Sequence, residues 1–285
     1  MSQDTGSIVL LRATRALTEA GVPEASGDAR RLFAHALGLA AGRLTLALPE
    51  PVSTEAQQSF DALIERRLKR EPVSHLTGKR MFYSRDFIVS SEVLDPRPET
   101  ETLIEAALSQ PFERVLDLGT GSGCILLTLL AEMTGCFGVG ADISPAALSV
   151  ARANAAAFGL SARAELVISD WFEKVTGSFD LICANPPYLA PSEISSLAPE
   201  IRDWEPRAAL TDGSADGLGA YRNICANAAR HLIPGGRLLL EIGEGQGPAV
   251  MLLVEQAGFK APIIVPDLDG RGRVVAGVLP SPFDV

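Results

Sequence analysis

Histidine, cysteine and aromatic residues are scarce in this chain. Of 285 residues, three are histidine and four are cysteine, and only 6% are aromatic. His35, His75 and His231 lie far apart and show no ligand spacing, so all three read as structural and no metal site is expected. Cys124, Cys136, Cys183 and Cys225 contain no C-x-x-C pair, and each falls among apolar neighbours. Buried free thiols are therefore expected in place of zinc ligands or disulfides. No apolar run approaches the roughly 18 residues of a membrane-spanning helix. The start, Met1-Ser2-Gln3-Asp4, lacks the basic residues of a secretory signal. A cytoplasmic protein without a membrane partner is the expectation. Positive charge is also short: the net charge is −10, which argues against direct binding of a long phosphate backbone.

What is present is a long, ordinary globular composition with 47% hydrophobic residues, enough for two domains. Residues 1–72 read as a helical bundle. A first helix covers about 7–20 and stops at Gly21-Val22-Pro23. Ala29, Leu32, Phe33, Ala36 and Leu37 then repeat at helical spacing up to Gly38. A third helix starts from a capping box at Thr54-Glu55-Ala56-Gln57 and carries Phe60, Leu63, Ile64 and Leu68. Its basic end, Arg66-Arg67-Leu68-Lys69-Arg70, reads as a solvated last turn compensating the helix dipole. Residues 73–97 read as a linker, in which Ser84-Arg85-Asp86 turns a short hairpin between Met81-Phe82-Tyr83 and Phe87-Ile88-Val89.

Pro98 opens a helix with Glu99 and Glu101 in its first turn and Leu103, Ile104, Ala107 and Leu108 on its apolar face. From Arg114 strands and helices alternate through residue 285. Strands are expected at 115–118, 137–141, 166–168, 179–183 and 237–242, and a helix at about 217–232. A terminal hairpin is expected from Ile263-Ile264-Val265 and 274–278. That alternation predicts an α/β fold with a doubly wound, mostly parallel sheet over 98–285.

Four motifs fall at the C-terminal ends of the expected strands, the edge where open α/β sheets bind ligands. The first is Asp117-x-Gly119-Thr120-Gly121-Ser122-Gly123, whose glycines let a ligand approach the backbone. Next come Asp142, placed where an acid meets ribose hydroxyls, and Ser169-Asp170-Trp171. The fourth is Asn185-Pro186-Pro187-Tyr188. Two successive prolines stiffen that loop and remove two backbone donors. What remains is a carbonyl-rich loop with one amide and one aromatic face. It suits a planar nitrogen group, with Asn185 Oδ1 and a loop carbonyl accepting its N–H bonds and Tyr188 over its face. For Asp117 two readings stand side by side: a buried acid that accepts bonds from the glycine loop, or a direct ligand contact. The glycine spacing is not G-x-G-x-x-G, and no G-x-x-x-x-G-K-[ST] loop is present. A dinucleotide or a triphosphate is therefore the weaker reading, and S-adenosylmethionine fits better.

On these motifs the chain resembles class I methyltransferases that modify planar amide or amino nitrogens. Further stretches resemble the release factor glutamine methyltransferases. They are Gly78-x-x-x-Phe82-Tyr83, Pro96-Arg97-Pro98-Glu99-Thr100-Glu101, Glu205-Pro206-Arg207-Ala208-Ala209-Leu210, Asp216-Gly217-Leu218 and Arg271-Gly272-Arg273-Val274-Val275. The resemblance covers essentially the whole chain. It implies a Rossmann-like methyltransferase domain after a small all-α, partner-recognising domain and a β-hairpin linker. It implies S-adenosylmethionine as methyl donor, with S-adenosylhomocysteine as product. Gly119, Thr120, Gly121, Ser122, Gly123 and Asp142 would hold the methionyl and ribose parts, Asp170 and Trp171 the adenine, with Asn185 beside the cofactor. Asn185, Pro186, Pro187 and Tyr188 would grip the target glutamine amide as the catalytic loop, with Phe82, Arg97 and Glu99 lining the substrate cleft. The implied partners are class I peptide chain release factors, met by a monomer. The rival is a nucleic-acid adenine or guanine methyltransferase, because the same tetrapeptide suits exocyclic amino groups. The acidic charge counts against that rival. A non-catalytic binding module and a nicotinamide oxidoreductase fit the intact loops and the glycine spacing less well.

Overall fold

Apolar residues at intervals of three and four organise the first part of the chain into helices. In the computed structural model, which describes residues 4–281, the longest of these run over Gly6–Glu19, Ala25–Ala36 and Thr54–Leu68. Residues 1–3, read above for a targeting signal, lie outside the described residues. Val9, Ala13 and Leu17 of the first helix join Ala29, Leu32 and Phe33 of the second and Phe60, Leu63 and Ile64 of the third in one core. The rings of Phe33 and Phe60 meet at 4.8 Å. The cap of the third helix is Ser53, whose hydroxyl accepts the Ala56 amide at 3.2 Å. The expected capping box is thus one residue late: Ser53 holds the extended φ of a cap, and Thr54 is already helical.

This first compact unit runs to Lys79 and takes in Ala198–Trp204. It passes the expected boundary at 72 because a further helix, Val73–Thr77, adds Leu76 to the same core before Gly78 ends it at φ +71°. The basic run 66–70 is solvated only in part: Arg66, Leu68 and Lys69 are exposed, but Arg67 and Arg70 turn inward. Arg67 is only 5% exposed. Its guanidinium donates to Asp28 Oδ2 and to Glu200 Oε1, both at 2.8 Å. Arg70 donates to Glu200 Oε2 at 2.9 Å and to the Gly21 carbonyl at 2.9 Å, while Arg66 pairs with Glu71. The correction has a simple cause. The carboxylates of Asp28 and Glu200 are distant in sequence, so nothing local marks the arginines as internal. Burial pushes the Glu200 carboxyl up, but the bonds from Arg70 and Arg67 outweigh it and hold the group below its ordinary value.

The second unit comprises Arg80–Leu197 and Glu205–Val285, described as far as residue 281. Strands β1 (Lys79–Phe82) and β2 (Arg85–Ile88) form a two-stranded sheet. Their turn is the pair Tyr83-Ser84, with φ +45° and +61°, the left-handed pair that matches strand twist in a two-residue hairpin. The expected turn at Ser84-Arg85-Asp86 is therefore displaced, and Arg85 and Asp86 already belong to β2.

The large sheet contains β3 (Arg114–Leu118), β4 (Phe137–Asp142), β5 (Ala164–Ile168), β6 (Phe179–Ala184), β7 (Leu232–Glu241), β8 (Lys260–Pro266) and β9 (Gly272–Val278). Their order is β5-β4-β3-β6-β7-β9-β8, parallel from β5 to β7, with β9 antiparallel to both neighbours. Side chains alternate between two cores, one on each face. Val115, Leu181 and Leu239 enter one, and Leu116, Ile182, Leu238 and Leu240 the other. Burial on both faces is the doubly wound arrangement. β7 begins earlier than expected. Leu232 pairs with Phe179 and Arg237 with Leu181, so Pro234-Gly235-Gly236 is taken up as an irregularity within the strand. The helix expected at 217–232 is shorter, Gly219–Ala228.

Replacing Arg67 by alanine should lower the stability of the first unit by about 3 kcal/mol, because one partner of a buried ionic network is removed. Urea denaturation of the full chain followed by circular dichroism measures this. An unchanged midpoint would show that Arg31, which donates to Asp28 Oδ1 at 2.8 Å, and Arg70 carry the carboxylates unaided.

Candidate active site

The sheet reverses its strand order between β3 and β6, and there the register sets the site. Leu118 is the partner of Ala184, so Gly119 and Asn185 leave adjacent strands side by side. Asp142 is the partner of Ile168, which brings Ser169 to the same edge, and the Ser169 amide donates to the Asp142 carbonyl at 3.0 Å. All four motifs therefore gather at one end of the parallel strands, where such sheets bind ligands.

The glycine loop is held from below and left open above. The Gly119 and Thr120 amides both donate to the Ala141 carbonyl, at 2.8 and 3.0 Å. Gly119 (φ +70°) and Gly121 (φ +54°) need the left-handed backbone, and a Cβ there would meet nothing closer than 3.9 Å. Open space above bare backbone is a cradle for a ligand. Gly123 also serves packing: a Cβ there would come within 2.9 Å of Leu127 on the following helix. Asp142 is half-buried. Its Oδ2 accepts the Gly121 amide and its Oδ1 the Ser144 amide, each at 2.9 Å. A carboxylate offers about four acceptor positions, so capacity remains for a pair of hydroxyls. Asp170 is exposed. Trp171 is half-buried, with φ +47°, beside the core that contains Phe172. Ser169 Oγ braces this turn by donating to the Trp171 carbonyl and accepting the Lys174 amide, both at 2.9 Å.

Asp117 is fully buried. Its Oδ2 accepts the Thr120 hydroxyl at 2.7 Å and the Leu126 amide at 3.3 Å. Of its two readings, the geometry fits the anchor beneath the loop. Burial pushes its carboxyl up to about 7, against the Thr120 and Leu126 bonds that lower it, and Asp142 adds repulsion.

Asn185 and Tyr188 are half-buried and Pro186 is buried. Asn185 Nδ2 donates to Thr100 Oγ1 at 3.4 Å. The Tyr188 carbonyl accepts Gln246 Nε2 at 2.9 Å, and Gln246 Oε1 accepts the Gly243 amide at 3.0 Å. Burial raises the Tyr188 phenol above its ordinary value. Arg97 does not pair with Glu99. It donates to both oxygens of Glu205 at 2.6 Å, while Glu99 is exposed. Burial pushes Glu205 up to about 7 in spite of the pull from Arg97, and buried Asp95 adds to the rise. Phe82 is not presented to the cleft. At 2% exposed it packs against Phe87, with ring centroids 6.0 Å apart, so the expected substrate contact gives way to a core role. The apolar alternation of the hairpin places it inward.

Two family models cover most of the chain: the PrmC N-terminal domain matches residues 9–78 and the methyltransferase small domain residues 80–201. A release factor glutamine methyltransferase of Cereibacter sphaeroides is 54% identical over 272 residues, spanning 95% of this chain and 98% of that protein. One of Rhodospirillum rubrum is 45% identical over 281 residues, spanning 95% and 86%. The chain belongs to the release factor glutamine methyltransferase family. A methyltransferase crystal structure from Pyrococcus furiosus shares the fold, with a TM-score of 0.55 at 15% identity, covering 76% of this chain and 98% of that one.

The family stretches without an evident chemical role acquire one as scaffolding. Glu205 seats Arg97, and the turn at Asp216-Gly217-Leu218 lies against Tyr188. Thr100, within the stretch Pro96–Glu101, meets Asn185, while Asn154 and Gln246 brace the loops of the site without any local signal. Fully buried Asn154 exchanges bonds with both backbone groups of Ile88 and donates to the Ser122 carbonyl at 2.9 Å. In sequence it is one polar residue in an alanine-rich helix.

Gly213 and Gly217 give a paired test of the turn beside Tyr188. Both have positive φ, but a Cβ at Gly213 meets nothing within 4 Å, whereas one at Gly217 would overlap the Tyr188 carbonyl. Each alanine variant should bear the left-handed cost of roughly 1–2 kcal/mol. Only Gly217→Ala should also displace the Asn185 loop. Thermal melting and a tyrosine-sensitive near-ultraviolet spectrum read the two apart, and equal behaviour would remove Gly217 from the site.

Proposed function

We propose that this chain transfers a methyl group from S-adenosylmethionine to the side-chain amide nitrogen of glutamine in the Gly-Gly-Gln motif of class I peptide chain release factors. The observation that carries the reading is the Leu118–Ala184 register, which sets an open glycine cradle beside an Asn-Pro-Pro-Tyr loop. Family membership narrows the acceptor from any planar amino group to glutamine. The residues present fit the methyl donor. Gly119, Thr120, Gly121, Ser122 and Gly123 would lie along its methionyl and ribose parts. The remaining acceptor capacity of Asp142 would take the ribose hydroxyls, with Asp170 and Trp171 bordering the adenine. When bound, S-adenosylmethionine supplies an electrophilic methyl group on a positively charged sulfur.

The chain's own residues then have three tasks. Asn185 Oδ1 and a loop carbonyl accept the two N–H bonds of the target amide. That holds the nitrogen in place and favours the charge that develops on it. Pro186 and Pro187 keep those acceptors stationary, so little reorganisation accompanies reaction. Tyr188 covers one face of the amide and limits water. An amide nitrogen is a poor nucleophile because its lone pair is delocalised, but once methylated it sheds a proton readily. No dedicated base is required. Glycines flanking the target let an unadorned backbone bring the glutamine into a recessed site. Recognition of the protein partner falls to the N-terminal helices, since every residue given a chemical role lies after Phe82. We place the reaction in the cytoplasm, carried out by a monomer. The free thiols among the described residues support a reducing compartment.

Incubation with a release factor and labelled cofactor, analysed by mass spectrometry, should find one added methyl on the Gly-Gly-Gln glutamine. DNA and RNA offered in parallel should remain unlabelled. Labelling of a nucleic acid in place of the protein would favour the amino-group rival. Asn185→Ala should lower turnover by ~10²–10³, in line with removal of a fixed hydrogen-bonding group. Retained wild-type turnover would overturn the mechanism.

Asp142→Ala should weaken cofactor binding, because each charge-assisted bond to ribose contributes roughly 1.5–3 kcal/mol. Calorimetry showing an unchanged affinity would sink that assignment.

A further inference from the structure

Two prolines stiffen the Asn185-Pro186-Pro187-Tyr188 loop, but they fix φ only at 186 and 187. Tyr188 keeps its own backbone and side-chain torsions, so its ring covers a substrate only if something else sets them. The surroundings do so on three sides. A Cβ at Gly217 would overlap the Tyr188 carbonyl, and one at Gly243 would fall 3.0 Å from Cδ2 of the ring. Bare backbone therefore lies against both the carbonyl and the ring. The third side is Gln246, whose Nε2 donates to the Tyr188 carbonyl at 2.9 Å.

The direction of the Gln246 amide follows from its partners. Its Oε1 accepts the Gly243 amide at 3.0 Å. A peptide N–H only donates and a peptide carbonyl only accepts. Reversing the side chain would set Nε2 against the Gly243 N–H and Oε1 against the Tyr188 oxygen, two repulsions in place of two bonds. Fully buried Tyr221 lies behind, its hydroxyl donating to the Glu241 carbonyl at 2.9 Å and standing 3.4 Å from Gln246 Oε1. The backbone of Gln246 is held as well. Its amide donates to the Gly243 carbonyl at 3.2 Å, and its carbonyl accepts the Val250 amide at 3.0 Å in the first turn of the helix Gly247–Gln256. The donor aimed at Tyr188 is thus fixed between the end of β7 and the start of that helix.

We propose that Gln246 is a positioning residue for methyl transfer, and that with Gly243 and Gly217 it forms a seat that orients Tyr188. Gln246 grips the carbonyl, Gly217 lets that carbonyl approach, and Gly243 leaves room for the ring beside the amide that holds its backbone. The Tyr188 carbonyl is thereby spent on the protein and not offered to substrate. Gly243 is not among the glycines of positive φ, so its missing side chain answers to this space and not to backbone conformation. That the seat serves the reaction rests on the reading of Tyr188 as the cover of the target amide.

The test reads the carbonyl and turnover separately. The chain contains three tyrosines, so ¹³C at the tyrosine carbonyls gives three signals in the full-length protein, Tyr188 being the one lost in Tyr188→Phe. Gln246→Met keeps the length of the side chain and removes both of its bonds. The Tyr188 signal should then move upfield, as for a carbonyl that has lost its donor, with the Tyr83 and Tyr221 signals in place. The kcat should fall roughly tenfold to a hundredfold, the scale of an ångström-sized misplacement, while the dissociation constant for S-adenosylmethionine stays within about twofold. Gln246→Glu should behave the same, since it keeps an oxygen for Gly243 but brings no donor to Tyr188. Gly243→Ala, whose methyl would stand 2.9 Å from Gln246 Oε1, should lower kcat in the same sense. Melting temperatures establish which variants fold, and Gly243→Ala keeps the inference open to refutation if neither Gln246 variant does. A Tyr188 signal that stays in place in folded Gln246→Met overturns the inference. So does wild-type kcat in any of the folded variants, or a loss of cofactor affinity as large as the loss of kcat. A Tyr188 signal that moves in Gln246→Met, with a wild-type protein that methylates no release factor, would instead overturn the functional reading and leave the seat standing.

Discussion

The parallel pairing of β3 with β6 is the constraint on which the site depends. Leu118 lies opposite Ala184, and both strands are buried on both faces. Slipping this pair by one residue would exchange Leu116 and Leu118 with Asp117 between the two faces, which apolar packing forbids. The register is therefore held by hydrophobic burial along the whole strand, not by anything in the loops. Gly119 and Asn185 inherit their closeness from it. The loops themselves add only local refinements: three positive-φ glycines on one side and two prolines on the other.

Most of this was legible in the chain because it depends on period and punctuation. Glycines after an apolar run, an acid ending the next strand and a proline pair ending the fourth are local facts. Strand ends gather them whatever the details of packing. The terminal hairpin, read from Ile263-Ile264-Val265 and Val274-Val275, has its two strands paired antiparallel in that region. Legibility failed where a partner is remote in sequence. Arg67 looks solvated until Asp28 and Glu200 are brought to it. Arg97 carries no local mark of its partner Glu205, 108 residues away. For Phe82 the resemblance implies cleft lining, yet the hairpin's own alternation buries it. The turn at Tyr83-Ser84 was missed for another reason. Neither residue is glycine or asparagine, so the positive φ values had no advertisement in the sequence.

Buried carboxylates are the unusual expense of this fold. Asp117, Glu205 and Glu241 are each raised to about 7, in every case chiefly by burial. Apolar residues of similar volume would fill the same spaces at less electrostatic cost. Two of the three act through a hydrogen-bonded intermediary: Asp117 reaches the glycine loop through Thr120 and the Leu126 amide, and Glu205 holds Arg97.

A carboxylate that only accepts forces its neighbour to donate, and so fixes which way the neighbour's remaining valence points. An amide or hydroxyl in the same place would leave that direction open, and an apolar residue would leave it unset. In the reaction proposed above, where the protein would supply acceptors and no base, the direction of each acceptor would be a large part of the catalytic contribution. Acceptors at the C-terminal edge of a parallel sheet are otherwise easily reversed, since the loops there are held at their ends and not along their length. Asp117 supplies orientation from below, within β3 where the sheet is rigid, to a glycine loop that is open above, while Glu205 fixes Arg97 from outside the sheet.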